Sequence, residues 1–315
     1  MATLDEVCDM GPGNAPGGQF TERGAALVDL SQLTRRARFE NRRMPDRKSL
    51  AGRAARAAAA ALLLCALSPA PAAPPTAAEL ASLYQARVDR LLQPPAPEVR
   101  HYAVLAERAL LQAGSVLDRA QYVVLVDRSP RVQALLLFWR AAEGQWTLVG
   151  ASPVSTGRPG SFDHFETPLG VFDHNPANPD FRAEGTFNEN NIRGYGVEGM
   201  RVFDFGWQRV PKGWGDRAVI DMRLQMHATD PDALEPRLGT AQSKGCLRIP
   251  ATLDVLLDHY GVLDEEYDRL LREGQRFWVL QADREPVEDA GRYLVIVDTG
   301  RTERPEWSPL PLRAR

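Results

Sequence analysis

The residues with the greatest capacity for chemistry are a cysteine and a histidine separated by 19 positions. Cys246 lies in the stretch AQSKGCLRIP, and His227 lies near the end of RAVIDMRLQMHAT. A cysteine attacks a substrate as the thiolate, and because its ordinary pKa is about 8.5 it needs a base or a positive neighbour. His227 is too distant for a turn contact but comes beside Cys246 if a strand and a loop fold back. The pair predicts a thiol nucleophile activated by an imidazole.

Two neighbours extend the chemistry of this cysteine. Gly245 allows a tight backbone turn, whose amide N–H groups can point at a negative charge developing on a substrate oxygen. Arg248 shares the alternation parity of Cys246 and is suited to holding a substrate carboxylate by a bidentate contact. Together with His227, these residues predict acyl transfer through a thioester.

The histidine is placed by a segment that alternates between apolar and polar residues. Because successive side chains of a strand point to opposite faces, His227 ends this strand on its polar face. After Cys246, the stretch IPATLDVLLDHYG has the apolar spacing of a helix, which Gly261 can end. The residues of the two strand faces are, respectively, Ile220, Met222, Leu224 and Met226, and Asp221, Arg223, Gln225 and His227.

The remaining elements are helices followed by strands. Thr76 and Glu79 form a capping box that predicts the start of a first helix, and a second helix ends near Gly114. Apolar residues of strand type predict strands in QYVVLVD, RVQALLLFW and WTLVGASPVS, as a meander, and in TPLGVF, RFWVLQ and YLVIVD. LDEEYDRLLREG predicts a short helix. We expect a mainly β fold, a sandwich or barrel of mixed strands with a helix after the nucleophile, preceded by two helices.

Two segments are expected to lack regular structure. The polar stretch 173–200 exceeds ordinary loop lengths, which indicates a functional or covering loop. The tail 299–315 contains several Pro and Arg residues and is expected to be poorly packed. We divide the part of the chain before this tail into a helical preface at 73–118 and a catalytic domain at 119–298.

The segment 44–72 has the form of a secretory signal peptide. Basic residues precede an apolar run of 11 residues, 57–67, and small residues follow at the spacing of a cleavage site. A membrane-spanning helix needs about 20 apolar residues, so we expect no stable membrane span. Residues 1–43 are then a start-site artefact or a disordered leader. The mature protein is expected in the periplasm or cell envelope.

Cysteine usage and charge narrow the function further. Of the three cysteines, Cys8 lies in the leader and Cys65 in the signal segment, which leaves Cys246 alone in the mature protein. A lone thiol forms no intramolecular disulfide and lacks partners for a metal site, although a small buried hydrophobe is a further interpretation. We expect no metal and no cofactor. A net charge of -3 argues against a nucleic-acid partner, because phosphate neutralisation requires a basic patch. No feature of the sequence indicates the oligomeric state.

The spaced motif formed by His227 and SKGCLR resembles the signature of the L,D-transpeptidases, the YkuD-like catalytic domains. In that family a His is followed at this spacing by Ser or Thr, His, Gly, Cys, an apolar residue and usually Arg or Asn. VSTGRPG and TPLGVF also look like the family's early strands and loop. The resemblance implies that Cys246 is the nucleophile, His227 the base, Ser243 and Gly245 the turn around the nucleophile, and Arg248 a substrate or structural contact.

What the resemblance implies is a reaction on peptidoglycan stem peptides. The thiolate would attack the carbonyl of the L-centred third residue of a tetrapeptide stem and expel the terminal D-alanine. An amine of a second stem would then resolve the thioester and form a cross-link. With water as the acceptor, the same site would be an L,D-carboxypeptidase or endopeptidase.

One position departs from the family pattern, because Lys244 stands where the family has His. An ammonium lowers the pKa of a thiol by its charge but cannot accept a proton as imidazole does, so the base role falls on His227 alone. Ala228 offers no side chain to orient the imidazole, which leaves that task to a backbone carbonyl. The lysine also motivates a rival function, a cell-wall binding protein with a disabled site.

Two further stretches of the sequence contain candidate site residues. The stretch RVFDFGWQRVPKGWGDR is interpreted as a loop packed on the sheet or, alternatively, as a lid in which Trp207 and Trp214 bind a glycan-peptide substrate. The acidic and histidine residues of DHFETPLGVFDH have a spacing that matches no familiar ligand pattern. We therefore predict substrate contacts at the two tryptophans and no metal site.

Overall fold

The computed structural model describes residues 73–310, in which four α-helices and nine β-strands form. The leader and the predicted signal peptide lie outside the described residues. The helices are α1 (Ala77–Arg87), α2 (Ala96–Gln112), α3 (Ala251–His259) and α4 (Glu265–Arg272). The strands are β1 (Gln121–Asp127), β2 (Ala134–Arg140), β3 (Trp146–Pro153), β4 (Gly170–Asp173), β5 (Phe181–Arg182), β6 (Arg201–Pro211), β7 (Val219–Ala228), β8 (Leu247–Ile249) and β9 (Tyr293–Val297).

The strands form two mixed sheets, which confirms the prediction of a mainly β fold. The larger sheet has the order β3-β2-β1-β9-β4, and the smaller has the order β5-β6-β7-β8. The predicted meander of β1, β2 and β3 is antiparallel throughout. Two pairs are parallel, β1 with β9 and β7 with β8. The second parallel pair carries the candidate site.

Strand β1 is buried on both faces. Val124 and Val126 contribute to a hydrophobic cluster that also contains residues of the smaller sheet, which we call the inter-sheet cluster. Val123 and Leu125 point the other way, into a second cluster that helix α2 covers. A strand covered on both sides is apolar throughout rather than alternating, which is why QYVVLVD reads as a continuous apolar run.

Helix α1 begins at the predicted capping box and packs into the inter-sheet cluster. The Thr76 hydroxyl accepts from the Glu79 amide, and the Glu79 carboxylate accepts from the Thr76 amide. Leu80 and Tyr84 are fully buried, and the Tyr84 hydroxyl forms a 2.6 Å hydrogen bond with the Ser152 hydroxyl on β3. No helix within residues 73–310 is long and apolar enough to cross a membrane.

The expectation of a loop in RVFDFGWQRVPKGWGDR is wrong for most of its length. Its residues form β6, the longest strand, which pairs with β7. A bulge between Asp204 and Trp207 shifts the register, and Gly206 there has a φ of +79°. The bulge interrupts the two-residue period, so Phe203 and Phe205 are buried whereas Trp207 is exposed. That broken alternation hid the strand.

Two other expectations are corrected. The stretch RFWVLQ forms turns and irregular backbone rather than a strand. The Val279 carbonyl in this stretch accepts a hydrogen bond from the Arg182 guanidinium instead of from a neighbouring strand. The tail is not poorly packed over residues 299–310. There the Ser308 hydroxyl donates to the Arg131 carbonyl at 2.9 Å, and Ser308 is buried. Hydrogen bonds from a buried hydroxyl hold this segment to the β1–β2 turn.

A buried charge cluster lies around Arg201, the first residue of β6 in the smaller sheet. The Arg201 guanidinium is fully buried and forms ion pairs with three aspartates. Val202, the next residue, lies opposite His227 in the β6–β7 pairing, so this cluster anchors the strand that flanks the candidate site. The three carboxylates are those of Asp180 at 2.7 Å, Asp264 at 2.7 Å and Asp258 at 3.3 Å.

A buried carboxyl makes folding stability depend on pH. Burial raises the pKa of Glu235 from its ordinary value to about 7, although the Ala251 amide donates to it. The folded state therefore keeps a proton that the unfolded state loses above about pH 4.5. The stabilisation is complete below that pH and is lost as the pH rises through about 7.

The variant Glu235→Gln removes this titration while keeping a hydrogen-bond acceptor. Relative to the wild type, we expect similar free energies of unfolding at pH 4.5 and a gain of about 2 kcal/mol at pH 8. Urea denaturation at several pH values measures the difference. A gain that is equal at both pH values would contradict the assignment, since it would not depend on protonation.

Candidate functional site

Parallel pairing of β7 and β8 brings the segments that carry the two predicted catalytic residues next to each other. His227 lies opposite Arg248, and Met226 lies opposite Leu247. Cys246 immediately precedes β8 and stands two positions before Arg248. Met226 and Leu247 point the other way, into the inter-sheet cluster.

The His227 imidazole has a defined tautomer. Its Nδ1 lies 2.5 Å from the Ala228 carbonyl oxygen, which can only accept, so Nδ1 carries the proton. A backbone carbonyl thus orients the ring, as expected from the missing side chain at Ala228. Nε2 is buried and has no hydrogen-bond partner within residues 73–310. In this tautomer Nε2 carries a lone pair that can accept a proton.

The turn before the cysteine is closed by Ser243. Its hydroxyl donates to the Cys246 carbonyl at 2.6 Å and accepts from the Gly245 amide at 3.0 Å. Gly245 has a φ of +135°, and a Cβ built there would lie 2.3 Å from the Met222 sulfur. The backbone angle favours glycine at this position, and any Cβ would also displace the Met222 side chain.

The sulfur of Cys246 lies against strand β7. Cys246 is present as a thiol and is 3% exposed. Its Sγ is 4.0 Å from the Arg223 carbonyl oxygen. The thiol therefore lies beside β7, the strand that carries His227.

Arg248 is a buried cation with unused donors. It is 2% exposed, and its backbone N–H and carbonyl both pair with Ser155 at 2.9 Å. Its side-chain Nε and Nη1 have no hydrogen-bond partner within the described part of the chain. Buried donors are nearly always bonded, so these two N–H groups indicate a binding position for an anionic acceptor beside Cys246.

Lys244 is paired rather than available to the sulfur. Its ammonium forms a 2.8 Å ion pair with Asp163, whose carboxylate belongs to the loop after β3. The positive charge of Lys244 is thus compensated locally. Sequence reasoning missed this partner, because Asp163 lies 81 positions away and no local pattern links the two residues.

This pairing predicts a charge effect on the thiol. In Asp163→Asn the ammonium loses its counter-charge, and we expect the pH midpoint of Cys246 alkylation by iodoacetamide to fall by about half a unit. The double variant Asp163→Asn, Lys244→Met removes both charges and is expected to restore the wild-type midpoint. An unchanged midpoint in Asp163→Asn would place the sulfur beyond the reach of this charge.

The two tryptophans lie at different borders of the site. Trp207 is 60% exposed, and the Arg223 guanidinium lies over its ring at 5.5 Å. Trp214 belongs to the β6–β7 turn and packs edge-on against Phe165 with a ring-centroid distance of 5.0 Å. The Phe165 amide donates to the Lys244 carbonyl, so Trp214 borders the turn that precedes Cys246. The structure does not bring the tryptophans together, and substrate binding by either stays a prediction.

Tyr195 covers the imidazole from the long loop 173–200. Its ring meets His227 edge-on with a centroid distance of 4.7 Å, and its hydroxyl donates to the Gln225 side-chain oxygen at 3.2 Å. The length of this loop indicated a covering role. Its sequence did not indicate which residue contacts the site, because that contact depends on the fold of the loop.

The residues weighed as metal ligands have other partners. His174 is buried, with Nδ1 2.8 Å from the Leu263 carbonyl and Nε2 3.0 Å from Asp180. Burial lowers the pKa of His174, but the charge and hydrogen bond of Asp180 outweigh it and raise the pKa above its ordinary value. Within residues 73–310, no group of three or more His, Cys, Asp or Glu residues is arranged to hold a metal ion.

Comparisons with known proteins do not assign a family. No family model matches the chain, and no curated protein matches it. The helical cell shape determining protein Pgp2 from Campylobacter jejuni is similar at 12% identity and a TM-score of 0.30, over 60% of this chain and 51% of that structure. A lysine-to-alanine variant of Pgp2 gives 12% identity, a TM-score of 0.29, and coverages of 73% and 57%. The chain thus spans little more than half the length of these structures.

Proposed function

We propose that this protein is an exported cysteine acyltransferase with L,D-transpeptidase chemistry, acting on peptidoglycan tetrapeptide stems. The observation that carries the proposal is the parallel pairing of β7 and β8, which places His227 opposite Arg248 and brings Cys246, directly before β8, against β7. The motif resemblance supplies the substrate class, and the geometry supports a nucleophile, a base and an anion-binding group within one small area.

The acylation step follows from the tautomer of His227. Nε2 takes the Sγ proton of Cys246, and the thiolate attacks the carbonyl of the third stem residue. The tetrahedral intermediate collapses by breaking the C–N bond to D-alanine, whose nitrogen takes the proton from Nε2. The products are a thioester on Cys246 and free D-alanine.

The second step regenerates the thiol. The amine of another stem attacks the thioester carbonyl, Nε2 accepts its proton, and the sulfur leaves as thiolate and is reprotonated. Water in place of the amine gives L,D-carboxypeptidase or endopeptidase activity from the same intermediate. Exclusion of water from a closed site favours transfer, and Tyr195 covering His227 is the feature in this structure that favours it.

Arg248 is suited to the carboxylate of the terminal D-alanine. A guanidinium fork binds carboxylates through two parallel hydrogen bonds, and two of its donors have no partner within residues 73–310. A buried cation beside the nucleophile would select stems that end in a free carboxylate. It would thereby determine which peptide bond of the stem lies against the Cys246 thiolate.

Mass spectrometry of the purified chain with a disaccharide-tetrapeptide tests the function. We expect a covalent adduct on Cys246 that has lost D-alanine, together with free D-alanine in solution. A second stem amine added afterwards is expected to give a cross-linked dimer, whereas its absence should give hydrolysis. Ligand retained without an adduct would support the cell-wall binding protein instead.

A further inference from the structure

Thr167 connects two sequence motifs to the nucleophile turn. Its hydroxyl accepts a 2.8 Å hydrogen bond from the Gly157 amide and donates a 2.7 Å hydrogen bond to the Gly245 carbonyl. Thr167 is fully buried. One hydroxyl therefore joins the TGRPG loop, the TPLG segment and the turn that precedes Cys246.

The backbone around this hydroxyl is fixed from several sides. Pro168 restricts Thr167 to extended backbone, and the Arg128 guanidinium donates to the Thr167 carbonyl. A Cβ at Gly157 would lie 2.1 Å from the Phe165 carbonyl oxygen and 3.0 Å from the Gly245 Cα. The close approach of the two glycine backbones leaves the hydroxyl little freedom to choose other partners.

The carbonyl that Thr167 holds belongs to the peptide unit whose N–H is that of Cys246. A trans peptide is planar, so its C=O and N–H point in opposite directions. Fixing the Gly245 carbonyl on Thr167 therefore directs the Cys246 N–H away from Thr167. A hydrogen bond to a carbonyl also polarises the peptide and strengthens its N–H as a donor.

We propose that Thr167 is a positioning residue that aims the Cys246 N–H at the oxyanion formed when the thiolate attacks a carbonyl. The inference rests on the proposed function of Cys246 as an acylated nucleophile. Thr167 touches neither substrate nor sulfur in this scheme. It acts through the Gly245 carbonyl, and its effect is confined to reactions that generate an oxyanion.

Two reactions of the same sulfur separate this role from a merely structural one. With p-nitrophenyl acetate the thiolate adds to the carbonyl, an oxyanion forms, and p-nitrophenolate leaves to give an acetyl thioester. With iodoacetamide the thiolate displaces iodide and no oxyanion forms. Both rates are measured on the full chain by mass spectrometry of Cys246, for the wild type, Thr167→Val and Thr167→Ser.

For Thr167→Val, which keeps the shape but loses the hydroxyl, we expect acetylation to slow by about tenfold to a hundredfold. Alkylation is expected to stay within about twofold of the wild type, because the sulfur and its base are unchanged. Thr167→Ser retains the hydroxyl and is expected to restore acetylation. The matched control is Thr156→Val, another buried threonine, whose hydroxyl bonds the Gln133 side chain instead of the turn; both rates should stay near those of the wild type.

The remaining outcomes overturn the inference in distinguishable ways. Equal losses of acetylation and alkylation in Thr167→Val would show that the hydroxyl supports the sulfur or the fold. Unchanged acetylation, or no rescue by serine, would show that the Gly245 carbonyl needs no such support. If the wild type is acetylated by the ester but not acylated by the tetrapeptide, only the proposed substrate is lost, whereas a Cys246 inert to the ester removes both proposals.

Discussion

Replacing Cys246 with alanine is expected to abolish adduct formation and D-alanine release, with a loss of at least about a thousandfold. No other described residue on this face of the β7–β8 pair offers a thiol, since Cys246 is the cysteine that the structure describes. The reaction is followed by mass spectrometry and by free D-alanine. Release of D-alanine at the wild-type rate by this variant would remove the thioester mechanism.

His227→Gln is the companion variant, because it removes the base while leaving the sulfur. We expect D-alanine release to fall by about a hundredfold to ten-thousandfold at pH 7. The residual rate should rise with pH as the thiol ionises without help from the imidazole. The matched control is His259→Gln, a histidine on α3 that contacts Glu285. Equal losses in both histidine variants would indicate damage to the fold rather than to the base.

Removing the Arg248 guanidinium is expected to have opposite effects on binding and stability. In Arg248→Met, the KM for a stem ending in a free carboxylate should rise about thirtyfold, which corresponds to about 2 kcal/mol. The free energy of unfolding should rise by about 1–3 kcal/mol, because a buried cation with unused donors is replaced by an apolar side chain. Steady-state kinetics and urea denaturation measure the two effects.

A substrate with its terminal carboxylate converted to an amide tests whether Arg248 binds that carboxylate, because the enzyme variant and the substrate variant then form a double-mutant cycle. The wild type should lose affinity for the amide by about the same thirtyfold, whereas Arg248→Met should not distinguish acid from amide. Arg248→Lys keeps the charge without the planar fork and should lie between them. Continued discrimination by Arg248→Met would show that another group binds the carboxylate, and Arg248 would then be a structural contact.

Much of the local structure could be predicted from residue patterns alone. The capping box at Thr76 and the apolar run of β1 predicted a helix and a strand that the structure contains. Such elements depend on neighbours within a few positions, so the sequence carries their signal directly. Strand β6 was missed because the bulge at Gly206 broke the alternation, and a bulge is set by pairing with β7 rather than by local residues.

In the candidate site, too, some features follow from local residue patterns and others depend on strand pairing. Alternation assigned His227 to the polar face of its strand and gave Arg248 the parity of Cys246, which cysteine usage and the resemblance both singled out. Neither indicated that His227 would lie opposite Arg248, since the register of a parallel pair is decided where a chain crosses over and returns.

The sequence by itself singled out the side chains that we propose to carry the chemistry, and it assigned His227 to the polar face of its strand. Only the tertiary structure decided that Lys244 forms an ion pair with Asp163 and that the Thr167 hydroxyl donates a hydrogen bond to the Gly245 carbonyl, in the turn before Cys246. Both contacts join segments about 80 positions apart in the chain. Local propensity acts over a few residues, whereas packing of the two sheets around a shared cluster determines which distant loops meet.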